Sequence, residues 1–179
     1  MGKQLTSGAS VPMAGRPKIL EALNKVADDH DVDPAAIAAI IHTESVWDTK
    51  CVTNSYIGLT QVGPELPKKL KLTRSQFLNL SAGEQIAAYG TWLDYYEFVK
   101  KMKQHKIDVL GLPLARQAAL LQGMQFAPNA SKWKAALASG DFAVRTTPHK
   151  QAEVLGDTSI GDMEKYYEGF FKKRPPAYA

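Results

Sequence analysis

Apolar residues recur along most of this chain at intervals of three and four, the spacing of a helix face turned toward a core. Residues 17–29 carry Ile19, Leu20, Leu23 and Val26 inward. Asp33-Pro34 is a helix start, with Asp as the capping side chain and Pro at the first helical position. A strongly apolar helical run follows it, Pro34-Ala-Ala-Ile-Ala-Ala-Ile-Ile-His-Thr-Glu44-Ser45. The stretch over 47–63 reads as a loop, extended around Cys51-Val-Thr, and Pro64 opens a short helix to about residue 70. Thr73-Arg-Ser-Gln76 and Ser81-Ala-Gly-Glu84 are both capping-box sequences. The second opens the longest predicted helix, over 82–104, with Ile86, Tyr89, Leu93 and Tyr96 on one face. Further helices are predicted over 113–121, over 131–138 with Asn129 as cap, and over 162–172. Residues 140–160 carry little pattern, and residues 1–15 are Gly/Ser-rich and read as a flexible segment. No alternating run is long enough for a sheet, so the fold class is all-α or α-dominant, one domain over 16–179.

One polar residue interrupts this logic. Glu44 follows Ile37, Ile40 and Ile41 at i+7, i+4 and i+3, which puts a carboxylate on the buried side of its helix. There it loses hydration and faces the negative end of the helix dipole, and both favour the protonated form. A carboxylic acid kept protonated near neutral pH suits a general acid that cleaves a glycosidic bond. The plainer reading is a partly buried glutamate paired with a lysine or capping a loop.

Composition narrows the alternatives. At 179 residues and 45% apolar content the chain can bury a substantial core. No run approaches the roughly 18 apolar residues of a membrane helix, and the first residues lack the apolar core of a secretory signal. Cys51 is the only cysteine, which excludes an internal disulfide. The net charge of +4 suits an anionic partner, either a cell-wall polymer or a nucleic acid, and each lysine cluster reads equally as a solvated face. The four histidines are scattered and suggest no metal site. His42-Thr-Glu44 mimics a zinc-deaminase fragment but lacks the paired cysteines, and there is no phosphate loop and no nucleophile elbow.

Three segments in order, Ile41-His-Thr-Glu44-Ser45, Ile57-Gly-Leu-Thr-Gln61-Val and Pro64-Glu-Leu-Pro-Lys-Lys-Leu70, resemble the soluble lytic transglycosylases of the goose-lysozyme-like group. The resemblance is close over 34–72 and diffuse elsewhere. It implies a lysozyme-like fold and Glu44 as single catalytic acid and base. It implies no cofactor and no metal, with peptidoglycan glycan strands as substrate. Gln61 would hydrogen-bond the sugar near the acid, and Ser45 would orient the glutamate or its loop. Gly58 supplies the turn, since it tolerates positive φ and close backbone approach. Tyr56 either stacks on a sugar ring or plugs the loop. The family's Ala-Tyr-Asn tyrosine is missing, with Gly123 in its place, and Gln122, Gln125 or Phe126 are the candidates to substitute for it.

The middle segment over 80–96 is similar to phage-borne members of the group, and Tyr89 and Trp92 on it read as core rather than ligand-binding residues. The expected setting is a virion, or the host cytoplasm with delivery to the cell wall. Other virion proteins are a further expected partner class, and nucleic acid is not expected. A hydrolysing lysozyme needs a second carboxylate. Asp48 and Glu65 are the candidates, Asp48 beyond the helix end and Glu65 at a helix start, so neither reads as a partner for Glu44. The rival readings are therefore a catalytically inactive virion or wall-binding protein and a hydrolase that uses water.

Overall fold

The computed structural model describes residues 3–126, 145–146 and 158–179. Its described part is helix-dominant. In order come β1 (Leu5–Ser7), α1 (Arg16–Asp29), α2 (Pro34–Ser45), β2 (Val52–Thr53), β3 (Tyr56–Ile57), α3 (Glu65–Lys69), α4 (Arg74–Leu78), α5 (Ala82–Tyr95), α6 (Phe98–Gln104) and α7 (Leu114–Phe126). Then follow β4 (Arg145–Thr146), β5 (Thr158–Ser159), α8 (Ile160–Lys173) and β6 (Ala177–Tyr178). The strands make three two-stranded antiparallel ribbons, β1 with β6, β2 with β3 and β4 with β5.

The central element is α2. Ala35 through Ile41 are fully buried, so this helix is apolar on every side and is enclosed rather than laid on a surface. It packs between α1 and α7, while α8 packs on α7 and α5 on α1. Its start is locally encoded, with Asp33 Oδ1 accepting from the Ala35 amide at 3.0 Å and Pro34 in the first turn. Tertiary contacts then fix it, because Tyr178 donates to both Asp33 oxygens at 2.9 Å and Gln117 Oε1 accepts from the Asp33 amide at 2.8 Å. It stops at Val46, which adopts φ 51° and ψ 37°. Trp47 continues the left-handed turn at φ 67°. A β-branched residue is strained there, and Val46 is exposed, so its own side chain does not pack to offset the strain.

Both capping boxes form as the sequence predicts, Thr73 with Gln76 and Ser81 with Glu84. Other expectations need correction. The helix predicted over 82–104 is two helices broken at Glu97, whose φ is 55°. A straight continuation from Leu93 would turn Glu97, Lys100 and Gln104 toward the core. The break buries Phe98 and Met102 instead. The helix predicted over 113–121 extends to Phe126, and the last one begins at Ile160, where the first buried residue of its stripe stands. The segment read as flexible contains β1 and buries Leu5, Ala9 and Val11. The helix predicted over 131–138 and its cap Asn129 lie outside the described residues, as does most of 140–160. Among the described residues no helix is long and apolar enough to cross a membrane.

Candidate active site

Glu44 occupies the last turn of α2, half-buried between α7 and the loop that leaves Ser45. Burial pushes its carboxyl from 4.5 up to about 7, and a hydrogen bond from Gln122 opposes that rise. The cause is desolvation of the charged form. No second carboxylate contributes to it. Gln122 Nε2 donates to Glu44 Oε1 at 2.9 Å, and Tyr167 donates its phenolic hydrogen to Gln122 Oε1 at 2.8 Å. Acid, amide and phenol thus form a chain from α2 through α7 to α8. Of the candidates to replace the missing tyrosine, Gln122 meets Glu44 and Gln125 instead bonds the Thr60 carbonyl. The side chain of Phe126 lies outside the described residues.

Two phenols face this carboxyl. Tyr167 and Tyr89 are both fully buried, and burial first, then the charge on Glu44, pushes both phenols well above their ordinary range. They remain neutral hydrogen-bonding groups. The Tyr89 hydroxyl is buried without a hydrogen-bond partner. Sequence reasoning placed Tyr89 in the core and assigned nothing to Tyr167. Only the apolar stripe of the last helix marked the element that carries Tyr167.

The loop behind the acid is built around Gly58. The Gly58 amide donates to the Cys51 carbonyl at 2.8 Å, and Ile57 and Val62 exchange amide bonds at 3.1 Å. Gly58 has φ 75°, and a Cβ there would stand 2.5 Å from Gln85 Oε1 and 2.9 Å from the Phe77 ring. The positive φ expected of Gly58 is present, and the space a side chain would take is filled by Gln85 and Phe77. Gln85 is the tie that sequence reading missed. Its Oε1 accepts from the Leu59 amide at 2.9 Å, while its Nε2 donates to the Thr49 carbonyl at 3.0 Å and to the Phe77 carbonyl at 3.3 Å. One buried amide on α5 thereby pins both ends of the loop.

The remaining predicted site residues are placed less directly. Gln61 is buried at φ 47°, with Nε2 donating to the Gly58 carbonyl at 2.9 Å and the Cys51 carbonyl at 3.3 Å. Its donors brace the turn, and its buried Oε1 has no partner. Ser45 Oγ donates to the Ile41 carbonyl at 3.0 Å, so it serves the helix backbone and does not bond the glutamate. Gln125 Nε2 donates to the Thr60 carbonyl, which ties α7 to the same turn, and its Oε1 is buried without a partner. Tyr56 is half-buried in β3, its ring edge beside Gly63. Asp48 is exposed and accepts from the Lys50 amide at 2.8 Å in a local turn. Glu65 is exposed in the first turn of α3.

Among the described residues no three His, Cys, Asp or Glu side chains gather as a metal would require. A recess of about 450 Å³ lined by His30, Phe98, Met102 and Val109 lies at the α6 end and does not include Glu44. Its rim mixes Asp31 and Asp108 with Lys103 and Lys106. What the geometry around Glu44 can do chemically is give up and take back one proton near neutral pH, within a shell of uncharged donors. No family model, curated protein or solved structure matches this chain.

Proposed function

We propose that this chain is a lytic transglycosylase of lysozyme-like fold that cleaves the β-1,4 bond between N-acetylmuramic acid and N-acetylglucosamine in peptidoglycan. The observation that carries the reading is Glu44, a single carboxyl raised to about 7 by burial, with no charged partner contributing. In the first step protonated Glu44 donates to the glycosidic oxygen as the C1–O4 bond breaks, and the 2-acetamido group stabilises the developing cation. In the second, ionised Glu44 takes the proton of the C6 hydroxyl while O6 bonds C1, which closes a 1,6-anhydro ring. No water is consumed. The tethered hydroxyl has a large effective concentration, and neither Asp48 nor Glu65 is engaged with Glu44 as a water-activating base. The resemblance to phage-borne members extends the proposal to a virion-carried or lysis-time enzyme.

The test is digestion of purified sacculi by the wild type and by Glu44→Gln, with products weighed by mass spectrometry. Wild type yields muropeptides lighter by one water than reducing-end products, and the variant yields none. Reducing-end products would assign a hydrolase. Clearing by Glu44→Gln would overturn the role of Glu44. The second reading, a wall-binding protein without activity, draws on Gln61, whose amide donors are occupied by the Gly58 and Cys51 carbonyls. It predicts pelleting with sacculi and no products from the wild type.

A further inference from the structure

The amide of Gln122 can face Glu44 in two ways. With its nitrogen forward it stabilises the ionised acid; with its oxygen forward it needs a proton from the acid. The carboxyl cannot choose between these, because it accepts when ionised and donates when protonated. The choice is made on the far side. Tyr167 is fully buried, and its phenol, kept neutral, donates to Gln122 Oε1 at 2.8 Å. With the phenol as donor, Oε1 is held by it and Nε2 is turned onto Glu44 Oε1 at 2.9 Å; reversing the amide would require the phenol to give up that bond and accept from Nε2 instead. Once Oε1 of the acid accepts from the amide, a proton on Glu44 has only Oε2 to occupy. Among the described residues Oε2 has no hydrogen bond.

We infer that Tyr167, acting through Gln122, is a positioning residue that fixes which oxygen of Glu44 carries the transferable proton. The role in catalysis rests on the reading of Glu44 as general acid; the control of its protonation does not. The titratable groups facing Glu44 are few. Tyr89 from α5 and Tyr167 from α8 are neutral, and Gln122 from α7 is uncharged. On its own helix, the His42 ring packs tilted against Phe170 at 5.4 Å, and burial followed by the charge of Arg174 lowers its proton affinity. No charge in this shell competes with the amide.

In Tyr167→Phe the amide loses its anchor and is free to present its oxygen to the acid. The hydrogen bond that favours the ionised form is weakened, so the midpoint of Glu44 moves upward. The geometry of proton delivery is lost, so kcat falls by roughly tenfold, part of the effect general acid catalysis provides, while KM holds. Carbon-13 NMR of glutamate-labelled protein reads the Glu44 carboxyl directly, with its resonance assigned by loss in Glu44→Gln. Wild type, Tyr167→Phe, Gln122→Met and, as a neighbouring-hydroxyl control, Tyr166→Phe are titrated, and the kcat and KM of each are taken on soluble glycan strands. The expected result is an upward midpoint in Tyr167→Phe and Gln122→Met and none in Tyr166→Phe. An unchanged midpoint in a folded Tyr167→Phe overturns the inference, whatever happens to activity. If the midpoint moves while the wild type releases no products, the positioning role stands and the transglycosylase reading fails. Should Tyr167→Phe not fold, an unmoved midpoint in Gln122→Met still overturns the inference, because the amide through which Tyr167 acts would then have no hold on the acid.

Discussion

Glu44→Gln has a thermodynamic consequence that is independent of any substrate. Burial holds the carboxyl at about 7 against 4.5 in the unfolded chain. Below about pH 4 both states hold the proton and the site is silent. Between the two values the folded state keeps the proton and the unfolded state releases it, so stability falls as pH rises. Above about pH 7 the loss is complete. At about 1.4 kcal/mol for each pH unit between the two midpoints, moving from 4.5 to about 7 costs about 3 kcal/mol. Glutamine has the same size and can still accept from Gln122 Nε2, but it does not titrate. Urea unfolding of both proteins at pH 4 and pH 8 isolates the site, because every other group cancels between them. The variant should gain about 3 kcal/mol over the wild type on going from pH 4 to pH 8, a large fraction of the stability of a small domain. An equal difference at the two pH values would mean that Glu44 titrates as an ordinary surface acid, and the catalytic reading would lose its support.

Two further outcomes are expected. Gly58→Ala places a Cβ 2.5 Å from Gln85 Oε1 at φ 75°, whereas Gly15→Ala at φ 69° meets its nearest atom at 3.9 Å. Urea melts should therefore show about 3 kcal/mol or more lost in the first, where strain and overpacking add, and about 1 kcal/mol in the second, where only strain acts; equal losses would refute the close-approach argument. Tyr89→Phe removes a buried hydroxyl that has no partner and should leave stability unchanged or raise it by about 1 kcal/mol in the same assay, while a loss larger than that would reveal a partner.

The parts of this molecule that were legible in the sequence are those whose causes lie within a few residues. Asp33-Pro34 starts α2 through a bond to Ala35, and each capping box closes over three residues. The burial of Glu44 followed from three isoleucines one and two turns before it. What escaped reading is held by distant partners. Gln122 meets Glu44 across 78 residues, Tyr167 meets Gln122 across 45, and Gln85 reaches Thr49 across 36. A buried glutamine carries no local mark of which carbonyl it will satisfy. The β1–β6 ribbon joins the two ends of the chain, with Thr6 bonded to the Ala177 carbonyl, so its two or three residues per strand give no periodicity to detect. The break at Glu97 is likewise silent, because no glycine or proline stands there; the packing of Phe98 and Met102 imposes it.

Buried polar atoms without partners lie in the elements around the acid, whereas left-handed non-glycine residues are spread from Ala9 to Lys106. Five buried polar atoms lack partners among the described residues: His42 Nδ1, Trp47 Nε1, Gln61 Oε1, Tyr89 Oη and Gln125 Oε1. Two belong to the end of α2 and the turn that leaves it, one to the Gly58 loop, one to α5 facing Glu44, and one to α7 tied to that loop. None comes from α1, and buried His30, which caps its C-terminal end, is bonded at both ring nitrogens. Val46 and Trp47 add consecutive left-handed residues immediately after Ser45, at a site where glycine or asparagine would relieve the strain. A core selected for stability alone would satisfy or remove such atoms, since each costs about 1–3 kcal/mol. The five atoms are buried, so a ligand reaches none of them without rearrangement; what they mark is a region not shaped for stability alone. Together with the raised carboxyl of Glu44, this supports the proposal that the end of α2, rather than the recess at α6, is the functional site.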